Sequence, residues 1–537
     1  MFRNGFRSAA IYSLGVVMSV MSLNSANAGV NVNNGNFYVA YTDFLINNPG
    51  LSLDVTRTYN SRSSYVKGFF GVGWSSEYEG YLDVKGAEIQ YYEGGGGNVV
   101  VFKKDGAGWV NNLFGKQKIT AAGTSYVLEN TIGKKLTFNA KGQLAKVGDS
   151  GGSFIEFTYT DKLLTLIRDS ANNQVRVNWK AFGGNQRIVR IERDVMKASY
   201  EYNDKGQLTK VTGADGIPFT YEYDDEFNMT AIVYNDGTRK EMAYNKTRDW
   251  ITKFSDRDGW ITGYDYFSDN LDPENKFGTT VVRYKAASKD KDESRFWYEF
   301  RKRADGSRYN HRAVTYINKT VTESFFTECC GTPIEIAQWG LGTEQAGANS
   351  KSLAWTNPQG EVRRTKFSYN PDGLLAKKIG ADGIETRLSY DGKIKKVSKV
   401  SIGAKSYSYT YDPKGNLRTA SDDVARRQLT LNYSTEGRIT KIQDVISQAG
   451  KMLSKDVLFS YDKAGRPSVV KEVRPGGGGG MIKMTYNARG EVTGVLNSQG
   501  RSLASEKDLE SAREVALTFQ SLLEIVQPAG VTLTPEG

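Results

Sequence analysis

The stretch YTYDPKGNLRTA, residues 409–420, places two tyrosines two apart and follows them with Asp412, Gly415 and an aliphatic residue. The arrangement recurs as LTFNAKGQLAKV (136–147), YEYNDKGQLTKV (200–211), FSYNPDGLLAKK (367–378), LNYSTEGRITKI (431–442), FSYDKAGRPSVV (459–470) and MTYNARGEVTGV (484–495). Weaker copies begin at 157, 221, 242 and 388. Tyr202, Tyr223 and Tyr244 are 21 apart, as are Tyr369 and Tyr390. Each unit also holds a second turn signal: Asp215-Gly216, Asp236-Gly237, Asp258-Gly259 and Asp382-Gly383. One unit therefore reads as two strands and two turns. An Asp or Asn that opens a tight turn caps backbone N–H groups, and a following Gly takes the left-handed position that closes a bulged hairpin. Strand alternation puts Tyr409 and Tyr411 on one face and Thr410 on the other. On this reading Asp204, Gly206, Asp224, Asp412, Gly415, Asp462 and Gly465 are structural turn residues. A calcium loop would need alternating acidic residues ending in Glu, which these segments lack. The tyrosines read as a stacked ladder in the core.

Composition agrees. Of 537 residues, 39% are hydrophobic, 31 are Tyr, 57 are Gly and only 11 are Pro, which suits a sheet with many tight turns and excludes disorder. A two-stranded unit cannot bury its apolar face alone, so neighbouring units must pair edge to edge into a growing sheet. The expected fold class is all-β, and the two ends of such a sheet need covering.

The first 28 residues follow another plan. Arg3 and Arg7 precede an apolar run from Ala9 to Leu23 that ends in Ala26-Asn27-Ala28, the pattern of a cleaved secretory signal peptide. No later stretch approaches ~20 consecutive apolar residues, so no transmembrane segment is expected in the mature chain. The expected location is exported: periplasmic, cell-surface or extracellular. The formal charge is +11, with no block of five like charges. It reads either as a solvated basic surface or as attraction to polyanions such as lipopolysaccharide phosphates, anionic wall polymers or extracellular DNA. An exported chain meets envelope polymers first, so a nucleic-acid partner is not expected.

Familiar catalytic sets are missing. His311 is the single histidine and sits near no nucleophile motif. One His and two adjacent Cys make no standard zinc site, and the glycine runs at 94–97 and 476–480 lack the Lys-Ser/Thr of a phosphate loop. No cofactor, metal or catalytic residue is expected. The unusual stretch is FFTECCGTPIEIAQWG (325–340), which holds both cysteines, Cys329 and Cys330. Their Cα atoms are ~3.8 Å apart, below the usual disulfide range. A strained vicinal disulfide, two reduced thiols and an intermolecular bridge all stay open. A vicinal bridge would form an apolar knuckle able to stack on a sugar ring together with Trp339 and Trp355; the other reading makes all four core residues.

The repeat pattern resembles the YD repeat of Rhs proteins, wall-associated repeat proteins and teneurins. Residues 34–79 resemble the N-terminal module of bacterial Rhs proteins through Thr42-Asp43, LDVTRTYNSR (Leu53 to Arg62) and GFFGVGWSSEYE (Gly68 to Glu79). The resemblance covers roughly Asn33 to Gly500, with an atypical segment at 267–358. It implies a spiral β-sheet forming a hollow, cocoon-like shell, closed at one end by the N-terminal module. Many bacterial members enclose a C-terminal toxin, released by self-cleavage at an Asp-Pro-x-Gly-Leu-type motif. Here YDPKGNL (411–417) shares Asp-Pro-x-Gly but lies inside the repeats, and about forty residues follow Val495. SEKDLESAREVALTFQSLLEIV (505–526) reads as one amphipathic helix capped by Ser505, with Leu509, Ala512, Ala516, Phe519, Leu523 and Val526 on one stripe.

The expected organisation is a signal peptide (1–28), an Rhs-type module (29–125), a YD-repeat shell (126–500) and a C-terminal helix and tail (501–537). The expected function is an exported, non-catalytic scaffold that binds envelope or surface glycans or another envelope protein. Two alternatives are an encapsulating carrier for a separate guest effector or toxin chain, and a carbohydrate-active enzyme with paired carboxylates in the atypical segment.

Overall fold

The computed structural model describes residues 27–500 apart from 47–50, 64–66, 96–98, 112–116, 131–132, 215, 287, 289–290, 305, 330, 342–355, 359, 436–437, 463–466 and 487–491. The expected signal segment up to residue 26 and the expected helix at 505–526 lie outside the described residues. Among these residues the protein is all-β, with two short 3-10 turns at Ser61–Ser63 and Glu77–Glu79. No helix among them is long and apolar enough to cross a membrane.

One antiparallel sheet runs in chain order from Tyr81–Lys85 to Val492–Leu496, each strand pairing with the strands before and after it. No pairing joins its first strand to its last among the described residues. The sheet nevertheless curls. The Leu82 N–H donates to the Gly142 carbonyl at 2.8 Å, and Tyr81 bridges Gln143, so the first strand meets the turn before Leu144–Gly148. A right-handed strand twist accumulated over many strands produces such winding. Much further along the chain, Gly151 lies against the backbone of Lys414 so closely that a Cβ would meet its carbonyl oxygen at 2.4 Å.

The repeat supplies the regularity. Lys405–Tyr411 pairs with Leu417–Asp422, and the register slips between Thr410 and Tyr411. The same slip precedes Tyr202, Tyr223, Tyr244, Tyr390 and Tyr433. Each slip is a β-bulge, which bends the strand as it enters the turn. Gly415 and Gly206 close their turns at φ 80° and 74°, a region costly for other residues. At 221–229 the equivalent place is filled by Phe227, which adopts φ 68°.

A separate four-stranded sheet is made by Asn27–Asn31, Asn36–Ile46, Leu53–Asn60 and Trp74–Ser76. The long wall begins shortly after it, at Tyr81. The small sheet packs on one face of the wall, here termed inner. Residues directly opposed in a ladder share a face. Following the register from Thr279, which bonds the small sheet, places Phe367, Leu388, Val400 and Tyr407 on the inner face. Two clusters of buried side chains lie on that face: one runs from the small sheet into the wall as far as Ile251, the other from Val397 to Met484. A third cluster, with Trp297, Val314, Ala337 and Trp339, lies on the outer face, where Leu341 and Val362 pack against it.

Candidate functional site

The feature that stands apart from the repeat is where the small sheet meets the wall. Leu53–Asn60 alternates buried and half-buried residues, and Arg57 falls on its buried face with Leu53, Val55 and Tyr59. A charge there needs a partner. Asp43 supplies it, because the ladder between Asn36–Ile46 and Leu53–Asn60 slips between Thr42 and Phe44 and leaves Asp43 as the extra, re-aimed residue. Arg57 Nε donates to Asp43 Oδ2 at 2.6 Å, and the Tyr200 hydroxyl of the wall donates to the same oxygen at 2.9 Å. The guanidinium carbon lies 4.5 Å from the Trp74 ring centre and 4.7 Å and 5.5 Å from those of Tyr41 and Tyr221. These distances are those of cation–π attraction, which strengthens when water is excluded. Burial opposes the Arg57 charge, yet Asp43 and Tyr221 hold its pKa above the ordinary value. Burial, then Asp43, pushes the Tyr200 phenol well above its ordinary range, so it stays a donor.

Around this knot the two sheets exchange hydrogen bonds that do not belong to any ladder. The Met229 N–H donates to the Tyr59 hydroxyl at 2.8 Å, Ile188 N–H to Phe69 O at 3.1 Å and Ile251 N–H to Gly35 O at 3.0 Å. The Thr279 hydroxyl donates to Val32 O at 2.6 Å, and Trp74 Nε1 donates to the Tyr223 hydroxyl at 2.9 Å. Glu79 organises the loop in between. Its carboxyl accepts from the N–H groups of Phe69 and Ser76, each at 2.8 Å, and completes a capping box with Ser76. Burial pushes its pKa up to about 8, against the pull of those two N–H groups and of Arg187.

The motif tyrosines have a role that spacing alone did not disclose. Each hydroxyl donates to a backbone carbonyl of the preceding unit: Tyr223 to Leu208, Tyr244 to Met229, Tyr390 to Leu375 and Tyr411 to Val397, at 2.6–2.9 Å. The signal available in the sequence was the contrast with the position two residues earlier, which varies among Tyr200, Met242, Leu431 and Met484 while the motif tyrosine persists.

The remaining sequence candidates fall as follows. Asp412 accepts from the Asn416 N–H at 2.8 Å, and Asp224 from those of Glu226 and Asn228. In the unit at 200–211 the cap is Asn203, which accepts from Lys205 and Gln207, while Asp204 beside it is exposed. The capping residue is the one directly after the tyrosine, which is Asn203 in this unit. Asp462 is half-buried; Gly465, Cys330 and Trp355 lie outside the described residues. Cys329 is exposed on the turn between Thr327 and Thr332. Trp339 is buried in the outer-face cluster, so its ring is not presented to solvent. In the atypical segment Glu299 and Glu323 flank Arg312, at 3.8 Å and 2.5 Å, an ion-paired arrangement rather than an open acid–base pair. His311 sits between the rings of Tyr309 and Phe325, and burial, then Arg301, lowers its pKa. Among the described residues no group of three or more His, Cys, Asp or Glu side chains could hold a metal ion.

The sequence pattern of the RHS repeat matches residues 202–239. The chain carries an RHS repeat. A domain of unknown function (DUF6531) matches residues 27–107, the span that contains Asp43, Arg57, Trp74 and Glu79. This RHS-repeat chain is 26% identical over 156 residues to double-stranded DNA deaminase toxin A of Burkholderia cenocepacia (strain H111), covering 26% of the chain and 11% of the toxin. Among solved structures, TcdB2-TccC3 without its hypervariable C-terminal region is similar at a TM-score of 0.41 and 10% identity, over 90% of this chain and 28% of that one. The Photorhabdus luminescens Tc holotoxin pore gives 0.37 and 12%, over 86% and 27%. The RHS-repeat chain thus spans about a tenth of the toxin's length and under a third of these structures.

Proposed function

We propose that this RHS-repeat protein is an exported, non-catalytic scaffold whose wall is sealed on part of its inner face by the N-terminal sheet and meets glycans or an envelope protein on its outer face. The observation that carries this reading is the Asp43–Arg57–Tyr200 knot. It fixes the small sheet across the inner face, so the outer face is the one left for ligands along that part of the wall. An apolar sheet whose face is already covered has little left to offer a ligand there. Proteins of this kind act through the surfaces that a rigid wall presents.

A second reading, a carrier for a guest chain, is favoured by one observation. The contacts of the N-terminal sheet reach Thr279, and the inner face from Leu388 to Met484 continues beyond them with its own tyrosine and valine lining. A glycan array probed with the full-length chain, run beside native mass spectrometry of the chain isolated from its own cells, separates the two. Glycan binding by a chain of unchanged mass supports the scaffold. A stoichiometric companion lost in Asp43→Ala supports the carrier. Hydrolysis of the arrayed glycans overturns the non-catalytic reading.

A further inference from the structure

The chain's charge is not spread evenly. Residues 363–418 contain thirteen Lys and Arg against five Asp and Glu, a surplus of eight out of the chain's +11. The register shows where part of that surplus is aimed. Ser368, Lys377, Arg387, Ser401 and Ser406 oppose one another in succession across five strands, so they form one row perpendicular to the chain direction. Ser389, Lys399 and Ser408 form a second row beside it. Both rows lie on the outer face, because the residues that alternate with them, Phe367, Leu388, Val400 and Tyr407, are inner. Strand spacing sets one hydroxyl or cation about every 4.8 Å along each row.

Two cations directly opposed in a ladder, as Lys377 and Arg387 are, destabilise a sheet. Glu385 relieves them in part: it pairs with Arg387 and lies 3.7 Å from Lys377, and these cations hold its carboxyl below the usual range. Arg364 pairs with Glu335. Lys366 and Lys399 add two more exposed charges. The outer face earlier in the wall is arranged differently. There Lys146, Glu156 and Arg168 oppose one another with alternating sign, and Lys210 faces Glu201 at 2.8 Å. The wall therefore neutralises itself in one region and leaves like charges side by side in another.

We propose that the outer face of strands 363–402 binds an anionic polysaccharide, with Lys377, Arg387 and Lys399 meeting its carboxylate, sulfate or phosphate groups and Ser368, Ser389 and Ser401 bonding its hydroxyls; Ser406 and Ser408, at the end of the rows, donate to Asp423 instead. A bound anion would remove the repulsion between the opposed cations. The two rows carry no aromatic side chain, which disfavours single-stranded nucleic acid, whose bases need rings to stack on. The proposal deepens the scaffold reading by naming a ligand class for the outer face; loss of this binding would leave the scaffold's architecture and its glycan-array test untouched.

The test uses the full-length chain and fluorescence anisotropy with labelled heparin and labelled polygalacturonate. Dextran serves as the neutral control, and single-stranded and duplex DNA serve as nucleic-acid arms. The expected result is binding of both anionic glycans, none of dextran, and weakening as salt shortens the screening length. Lys377→Glu/Arg387→Glu should lose about tenfold or more in affinity, while Lys141→Glu/Lys205→Glu, on exposed turns elsewhere in the wall, binds as the parent does. The neutral pair Lys377→Gln/Arg387→Gln, with its melting temperature recorded, guards against a folding defect; it should bind weakly and melt no lower than the parent. Glycan affinity unchanged by either double variant, or DNA bound about tenfold more tightly than both glycans, would overturn the proposal.

Discussion

The unit at Tyr223 and the unit at Tyr411 share a motif but not a task. Each tyrosine donates its hydroxyl to a carbonyl of the unit before, at 2.8 Å and 2.6 Å. The Tyr223 hydroxyl also accepts the Trp74 indole N–H, so the N-terminal sheet uses the repeat's own staple as an anchor. The Tyr411 unit makes no such bond to the N-terminal sheet among the described residues; its turn meets the wall itself, at Gly151 against Lys414. The turn chemistry differs in step. Gly415 occupies the left-handed position in one, and Phe227 in the other, immediately before Asn228 and before Met229, whose N–H is taken by Tyr59. Docking supplies stabilisation from outside the unit, and the anchored unit departs from the ideal turn sequence where the free unit keeps to it.

The largest break in this comparison should come from Asp43→Ala. It strands the Arg57 charge in a fully buried site, and we expect a loss of about 3–5 kcal/mol in chemical denaturation. Asp444→Ala, which removes the partner of Arg427 in the later wall, should cost less, because the Arg427 side chain is 16% exposed where that of Arg57 is 0% exposed. Equal losses would show that the docked region is not special.

Glu79 should give the docked region a pH dependence of its own. Its folded pKa is about 8 against an ordinary 4.5, so the folded state holds a proton that the unfolded state has released. Its contribution is complete below about 4.5 and is lost as pH rises through about 8. Denaturation midpoints of the parent should therefore fall across that window relative to Glu79→Gln. Parallel curves would sink the assignment.

Hydroxyl deletion sharpens the contrast. Tyr223→Phe leaves both the Leu208 carbonyl and the Trp74 N–H unpaired and should cost about 2–3 kcal/mol, while Tyr411→Phe frees one carbonyl and should cost about 1 kcal/mol. The smallest effect concerns the turns. Phe227→Gly should stabilise by roughly 1 kcal/mol, and Gly415→Ala should destabilise by a similar amount, read from the same denaturation curves.

The sheet, its 21-residue period and the turns were legible because they follow from local chemistry: alternation, an Asx cap, and a glycine with positive φ. Even there, phase mattered, since the cap in YEYNDKGQ is Asn203 and not its neighbour Asp204. The phenol staples were within reach in the regular units, where the acceptor lies 14 or 15 residues back as for Tyr223 and Tyr411, but not at Tyr461 or Tyr369, where it lies 22 and 36 back. The Asp43–Arg57 knot was not. Both residues stood inside segments that resembled a known module, but a bulge turns Asp43 inward and the wall's Tyr200 completes the site from 157 residues away. For Trp339 the sequence left two readings open, a ring for a sugar or a core residue; the structure buries it, and that burial depends on Leu341 and Val362 packing at the outer face, a contact that no period encodes.

The most direct test of the account is hydrogen exchange at the amides of Ile188, Met229 and Ile251, which the wall spends on the N-terminal sheet rather than on its own ladders. In the parent these three should be as protected as the wall's ladder amides, and in Asp43→Ala they should open together while those of Val400, Tyr409 and Leu429 stay protected. Exchange that is fast at the three sites in the parent, or a loss of protection that spreads evenly through the wall, would contradict a wall of paired repeats clamped on one face by the N-terminal sheet.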